Sequence, residues 1–221
     1  MTDVGAAVAA VRGRIAAAAA RAGRDPASVT LVAATKTVPV ARIAAAVAAG
    51  VADVGENRAQ ELLAKAPALA DAAPRWHFLG PLQRNKVKAL APWVGCWQTI
   101  DRVELGAAVA RHAPAARVLV EVNVGDEPQK AGCAPDDTGA LVDALRALGL
   151  AVDGLMAVPP LGADPRPFFV RLRGLASLCS LSALSMGMTD DFEVAVEEGA
   201  TLVRVGRALF GERRQPQAPQ Q

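Results

Sequence analysis

Eight strand-like segments alternate with helix-like segments along most of the chain, and this alternation limits the possible folds more than any other feature. Apolar runs with few polar interruptions are typical of parallel strands that are buried on both faces. Their alternation with helices predicts an α/β fold, either a closed barrel or a doubly wound open sheet. The count of eight favours a single (β/α)8 TIM-type barrel. The predicted strands are Val29–Thr35, Val51–Gly55, Trp76–Gly80, Cys96–Ile100, Arg117–Val124, Val152–Val158, Ala183–Gly187 and Leu202–Val205.

The segment before the first strand predicts an additional N-terminal helix, from about Val4 to Ala22, which ends before Gly23. Arginines interrupt its alanine run too closely for a signal peptide or a membrane span. No internal linker rich in Gly, Pro or Ser divides the chain, so residues 1–214 are predicted to form one domain. Residues 215–221 read QPQAPQQ, which predicts a disordered polar tail.

The charge balance excludes some classes of partner. A formal net charge of +2, with 21% charged residues, gives no electrostatic basis for binding nucleic acid or an anionic membrane. Three widely spaced cysteines, Cys96, Cys133 and Cys179, match neither zinc spacing nor an even disulfide set, so we expect reduced thiols in a cytoplasmic protein. A chain limited to one barrel also predicts a monomer.

Lys36 follows the first predicted strand, at the edge where α/β folds bind ligands. An amine held there can lose part of its hydration, release its proton more easily and attack an aldehyde to form a Schiff base. The alternative is a lysine that simply reaches solvent at a strand end.

The segments around the last two strands predict a phosphate site. Barrels often bind phosphate in these loops, where Ser185 offers a hydroxyl and Gly206 lets its backbone N–H approach an anion. Ordinary turn glycines at Gly187 and Gly206 are the alternative. Arg204 lies between two valines of the last strand, so its side chain is predicted to point into the barrel mouth. Its alternative is a salt bridge to Asp190, Asp191 or a neighbouring glutamate.

Two other residues could contact a planar ligand, although each also has an ordinary structural explanation. His77 could stack on such a ligand or donate a hydrogen bond to it, and a hydrogen-bonded core histidine is the alternative. Met156 could pack on a ring, and a plain core methionine is its alternative.

The chain resembles the pyridoxal-phosphate homeostasis proteins, a family of small vitamin B6-binding proteins. The motifs that carry the resemblance run in family order from Val29 to Gly211 and read AATK, DVGEN, WHFLGPLQRNK, VEVNV, GLMAVPP, LSMGM and VRVGRALFG. The resemblance implies a single barrel like the N-terminal domain of alanine racemase. It implies pyridoxal 5′-phosphate bound to Lys36 as an internal aldimine.

The resemblance also assigns roles to other residues. It implies phosphate contacts from Ser185 and from the backbone of Gly206 and Arg207, with Arg204 facing the pyridine nitrogen. The remaining positions that it places near the cofactor are Asn57, His77 and Met156. In two places the chain departs from the family. Arg58 stands where members often carry Tyr, and the stretch between Pro160 and Ala183 is short, which predicts a truncated barrel helix and a more open mouth.

Members of this family are generally regarded as lacking a clear enzymatic activity and as carrying or buffering the cofactor, with transient contacts to apo-enzymes. The residues agree with this role. A guanidinium stays protonated, so Arg204 would keep the pyridine nitrogen unprotonated and the ring a poor electron sink. The chain has no tyrosine to act as a second base, which leaves only His77 or a cysteine. The alternatives are a slow pyridoxal-phosphate-dependent amino-acid racemase or lyase, and a barrel for a phosphorylated sugar without aldehyde chemistry.

Overall fold

The computed structural model of the protein describes residues 3–211, which form eight parallel strands closed into a barrel with helices around them. The strands follow one another in chain order, and the last pairs with the first. The strands are β1 (Thr30–Ala34), β2 (Asp53–Glu56), β3 (Arg75–Phe78), β4 (Val94–Ile100), β5 (Arg117–Glu121), β6 (Ala151–Met156), β7 (Ala183–Ser185) and β8 (Leu202–Val205). The α-helices are α1 (Val4–Arg21), α2 (Val40–Ala48), α3 (Ala59–Ala68), α4 (Arg84–Leu90), α5 (Val103–His112), α6 (Thr138–Ala147), α7 (Arg166–Leu178), α8 (Phe192–Glu197) and α9 (Arg207–Phe210). The predicted (β/α)8 barrel with an additional N-terminal helix is confirmed.

Strand β1 illustrates why the apolar runs form this barrel. Its three central residues, Leu31, Val32 and Ala33, are all buried. A parallel strand in a barrel has one face toward the interior and the other beneath the helices, so both faces exclude water. Burial of each large aliphatic side chain stabilises the fold by about 1.5–3 kcal/mol relative to exposure.

Helix α1 covers the outside of the barrel where its first and last strands meet. Val4, Val8, Val11 and Ile15 recur at helical spacing and are buried. The helix packs against α2, α8 and α9. Since α9 has only four residues, α1 takes the place that a full helix after β8 would fill.

The structure corrects three details of the sequence predictions. Strand β4 begins at Val94, two residues before the predicted start, and includes the glycine at position 95. Strand β5 ends at Glu121 rather than Val124, because the chain turns there and the Asn123 N–H donates to Cys133 O at 3.0 Å. The expectation of a truncated helix after Pro160 was wrong, since α7 is a complete helix of 13 residues.

Within residues 3–211, no helix is both long and apolar enough to cross a membrane. The three cysteines are free. The same part of the chain has no group of three or more His, Cys, Asp or Glu side chains placed to hold a metal ion. The predicted polar tail, 215–221, lies outside the described residues.

Candidate functional site

Lys36 lies two residues beyond the end of β1, at the carboxyl-terminal mouth of the barrel. Its side chain is half-buried. Among residues 3–211, no acceptor forms a hydrogen bond or an ion pair with its Nζ. The Lys36 amine therefore remains available to a ligand.

A buried ionic cluster lies directly beneath the backbone of Lys36. Lys65 Nζ, on α3, donates to Glu56 Oε2 at 2.7 Å, to Glu61 Oε2 at 2.6 Å and to the carbonyl oxygen of Thr35 at 2.8 Å. Glu56 has no exposed surface, and Lys65 is 8% exposed. We refer to Lys65, Glu56 and Glu61 as the Lys65 cluster.

The Lys65 cluster holds the residues on both sides of Lys36. Glu61 Oε2 accepts from the Thr37 N–H at 2.8 Å, and Glu56 Oε2 accepts from the Thr35 hydroxyl at 3.0 Å. Thr37 has a φ of +64°, a conformation that costs a non-glycine residue about 1–3 kcal/mol and persists only where the surroundings impose it. Burial would raise the pKa of Glu61, but the Lys65 and Thr37 hydrogen bonds lower it below its usual value.

The loop after β2 places Asn57 at the same mouth. Its backbone N–H donates to Glu56 Oε1 at 2.8 Å, so the Lys65 cluster fixes this loop as well. A Cβ added to Gly80, in the loop after β3, would lie 2.1 Å from Asn57 O, and only glycine fits that close approach. Arg58 is exposed and pairs with Glu61 at 3.6 Å, so its guanidinium is turned to the surface.

Five side chains form a continuous chain of hydrogen bonds inside the barrel. Arg204 Nη1 donates to Ser185 Oγ at 2.7 Å, and the Ser185 hydroxyl donates to Gln98 Oε1 at 2.6 Å. Gln98 Nε2 donates to His77 Nδ1 at 2.7 Å, and His77 Nε2 donates to Asp53 Oδ1 at 2.8 Å. The orientation of the amide and the tautomer of the ring follow from this order of donors and acceptors. We call these residues the interior chain.

Arg204 occupies the mouth end of the interior chain and is 5% exposed. Its Nη2 also donates to the carbonyl oxygen of Ala157 at 2.9 Å. Burial lowers the pKa of Arg204 to about 10, while the charges of Glu121 and Asp191 oppose the change, so the guanidinium is still a cation at neutral pH. Within the described range, Arg204 forms no salt bridge with Asp190, Asp191 or a neighbouring glutamate, the alternatives considered from the sequence. Asp190 pairs with Arg207, and Asp191 accepts from the Met188 N–H.

His77 lies deeper in the barrel than the residues around Lys36, whereas Met156 ends β6, in register with Glu121 and Ser185. His77 lines a cavity of about 350 Å³ at the amino-terminal end of the strands, together with Asp53 and Cys96. Both of its ring nitrogens are already hydrogen-bonded within the interior chain. Met156 packs in a small apolar cluster with Cys96 and Leu119. Contacts of either residue with a ligand at the mouth stay predictions.

The loops after β7 and β8 meet at the mouth beside Ser185. Gly206 precedes α9, and the first N–H groups of a helix have no partner within that helix. Its φ of −117° does not require glycine, but an added Cβ would lie 3.3 Å from Ala34 O, so this loop runs tightly against the end of β1. The guanidinium of Arg207 pairs with Asp190 at the surface, and a contact of the Arg207 backbone with a phosphate stays a prediction.

The structure agrees with the interpretation of Gly187 as an ordinary turn glycine. Its φ of +89° lies in the region that favours glycine. A Cβ at this position would also lie 2.5 Å from the Cβ of Ala195 on α8. The backbone conformation and the packing of α8 therefore account for this residue without a ligand.

Glu121 is an acidic group at the mouth that the sequence analysis did not single out. It ends β5 and is mostly buried. Burial, together with the nearby charge of Asp101, raises the pKa of Glu121 to about 7, although the charge of Arg204 opposes this. The only bases considered from the sequence were His77 and a cysteine, so the structure adds a group that exchanges protons near neutral pH.

The raised pKa of Glu121 predicts a loss of stability as the pH rises. The unfolded carboxyl ionises near its usual 4.5, while the native one keeps its proton to about 7. The native state then binds more protons between these values, so its free energy of unfolding falls, by about 3 kcal/mol at most. Urea denaturation of the ligand-free protein at several pH values, against Glu121→Gln, isolates this contribution. A pH-independent difference between the two proteins would contradict the assignment, and exposed Glu104→Gln serves as the control.

The chain matches known proteins over nearly its whole length. The family described as the alanine racemase N-terminal domain matches residues 7–214. The pyridoxal phosphate homeostasis protein of Pseudomonas aeruginosa is 44% identical over 223 residues, covering 96% of this chain and 97% of that protein.

Solved structures also resemble this chain over most of its length. An unknown protein from Bifidobacterium adolescentis has a TM-score of 0.88 at 36% identity, covering 94% of each chain. PipY of Synechococcus elongatus, solved with PLP bound, has a TM-score of 0.80 at 34% identity, covering 91% of this chain and 100% of that one.

Proposed function

Because the chain belongs to the alanine racemase N-terminal domain family and, within it, to the pyridoxal phosphate homeostasis proteins, we propose that it binds pyridoxal 5′-phosphate and takes part in its homeostasis. The observation that carries this proposal is a lysine amine at the mouth that has no partner among residues 3–211, on a backbone that the Lys65 cluster fixes. It follows β1, whose neighbouring strand β8 carries the buried cation Arg204. PipY, a relative of known structure, binds the same compound.

The donor set at the mouth fits pyridoxal 5′-phosphate. The bound cofactor supplies an aldehyde that forms a Schiff base with a primary amine, and Lys36 is the amine positioned for it. The backbone N–H groups of Gly206 and Arg207 and the hydroxyl of Ser185 are the proposed phosphate contacts, and Ser185 would give up its hydrogen bond to Gln98 to donate to the phosphate. Asn57, held by Glu56, is the proposed contact on the opposite side of the mouth, and His77 and Met156 are the further residues proposed to lie near the cofactor.

Arg204 supports a role in binding rather than in catalysis. The guanidinium has five N–H donors, and two of them donate to Ser185 Oγ and Ala157 O. A permanent donor facing the pyridine nitrogen would keep that nitrogen an unprotonated acceptor. The electron withdrawal that carbanion chemistry needs is then weak, because efficient sites place an acidic partner at this position. We therefore propose that the protein stores the cofactor reversibly and has no clear catalytic activity.

Hydride trapping tests the proposed attachment. Protein incubated with pyridoxal 5′-phosphate and reduced with borohydride is expected to carry one pyridoxyl group on the tryptic peptide that contains Lys36. A protein that gains no visible absorbance and no mass on this treatment would contradict cofactor binding.

Delivery of the cofactor to an enzyme is tested separately. Loaded protein is mixed with an apo-aminotransferase while free cofactor is scavenged. Reactivation no faster than with free cofactor would exclude a carrier role.

A further inference from the structure

A cavity of about 320 Å³ opens at the mouth beside the proposed cofactor site. Its walls come from the loops after β3 and β4 and from the end of β5. The residues with polar side chains that line it include Thr99, Asp101, Arg102 and Glu121. We call this space the side cavity.

Thr99 has a polar group that nothing in the structure satisfies. Its side chain is 2% exposed and lines the side cavity. Its Oγ1 is buried and has no hydrogen-bond partner among residues 3–211. A buried hydroxyl without a hydrogen-bond partner destabilises the protein, so a ligand that forms a hydrogen bond with Thr99 would be bound more tightly for it.

The acidic groups of the side cavity differ in how well they are paired. Asp101 accepts from the exposed guanidinium of Arg102 at 2.5 Å. The Glu121 carboxyl forms neither a hydrogen bond nor an ion pair with any of the described residues, and Arg204 acts on it only through longer-range attraction. A cation that entered the cavity would therefore meet walls that include an unpaired carboxyl and a buried hydroxyl without a partner.

We propose that the side cavity binds small primary amines as ammonium ions, with the Glu121 carboxylate and the Thr99 hydroxyl as acceptors. An ammonium group has N–H donors for both oxygens. This inference deepens the proposed function and rests on it for its biological meaning, since an amine at the mouth is the kind of molecule that can take a Schiff-base-bound aldehyde from Lys36.

Glu121 can also prepare the bound amine for reaction. The ammonium gives one proton to the carboxylate, which leaves a neutral amine and a neutral carboxylic acid, and the nitrogen regains the lone pair that attacks aldehydes. The charged and titratable groups around Glu121 are Asp101, Arg102, Cys133 and Arg204. Burial raises the pKa of the Cys133 thiol to about 11, and Arg204 stays protonated, so Glu121 is the member of this group that changes charge near neutral pH.

Propylamine binding to the cofactor-free protein tests the side cavity directly. A nuclear magnetic resonance titration is expected to show affinity that rises with pH through about 7, as Glu121 ionises while propylamine stays protonated. Glu121→Gln should weaken binding about tenfold or more, and Thr99→Val by a smaller factor. Glu104→Gln, which removes an exposed charge from the neighbouring helix α5, should bind propylamine like the wild type.

Propylamine binding and cofactor uptake test the two proposals separately, because either can fail while the other succeeds. Equal propylamine affinity in wild type, Glu121→Gln and Thr99→Val would overturn the amine site, even if all three proteins carry pyridoxal phosphate on Lys36. Propylamine binding that depends on Glu121, in a protein that takes up no cofactor, would instead support the amine site and refute the proposed function. With loaded protein, Glu121→Gln should slow cofactor release by propylamine, and an unchanged release rate would contradict the proton transfer.

Discussion

Lys36→Ala protein is expected to remain colourless with pyridoxal 5′-phosphate and to gain no mass after borohydride reduction. The methyl group of alanine cannot form a Schiff base, while the proposed phosphate contacts at Ser185, Gly206 and Arg207 remain. Any residual cofactor should therefore dissociate on dialysis. The free energy of unfolding should change by less than about 0.5 kcal/mol, because the Lys36 amine makes no hydrogen bond within residues 3–211.

Lys88→Ala is the matched control for this experiment, since it removes an exposed lysine from α4. It should form the adduct on Lys36 as the wild type does. A pyridoxyl group recovered on another lysine of the Lys36→Ala protein, at the wild-type level, would show that the cofactor is attached elsewhere. Lys65 is another lysine close to Lys36 in the fold, but its amine is already paired with Glu56 and Glu61 and with the Thr35 carbonyl.

Lys65→Met is expected to destabilise the protein by about 3–5 kcal/mol, measured by urea denaturation. Removing the lysine leaves the fully buried Glu56 without its cation, and the Thr35 carbonyl keeps only the Val38 N–H as a donor. Methionine has a similar length, so loss of packing contributes little. Lys36 should also react more slowly with pyridoxal phosphate in this variant, because the two carboxylates that bind Thr35 and Thr37 lose the cation that positions them.

Two companion variants show whether the effect comes from the unpaired charge. Lys65→Met combined with Glu56→Gln should recover part of the lost stability, since the uncompensated carboxylate is gone. Lys88→Met, on the surface of α4, should unfold at the wild-type urea concentration. A Lys65→Met protein as stable as the wild type, with Lys36 equally reactive, would refute the positioning role of the Lys65 cluster.

The sequence predicts the fold well because the signals for a parallel barrel are local. Each strand is a short apolar run, and the loops at the carboxyl ends of the strands carry the polar residues in order. This reasoning is enough to place Lys36 beside the end of β1 and Arg204 inside the barrel. The prediction of a truncated helix before β7 was wrong because the chain length between two strands does not show which part is loop and which is helix.

The side chains that hold Lys36 and Arg204 in place could not be predicted in the same way. Lys65 follows Glu61 at a spacing of four, which is typical of an exposed helical ion pair, and only the fold brings buried Glu56 to it. Gln98 lies in an apolar run and joins Ser185 to His77 across the barrel. A glutamine in such a run is the one signal that a buried polar partner was present, because unpaired burial of its amide would be costly.

The pairing of β1 with β8 has a consequence for how the protein is made. The lysine that would capture the aldehyde comes from the beginning of the chain, and the arginine and glycine that complete the pocket come from near its end. A ribosome adds about 5–20 residues per second, so the lysine leaves the exit tunnel seconds before its partners exist. We expect a translating chain to hold no vitamin until synthesis has passed the last strand, which ties each new storage site to a finished polypeptide.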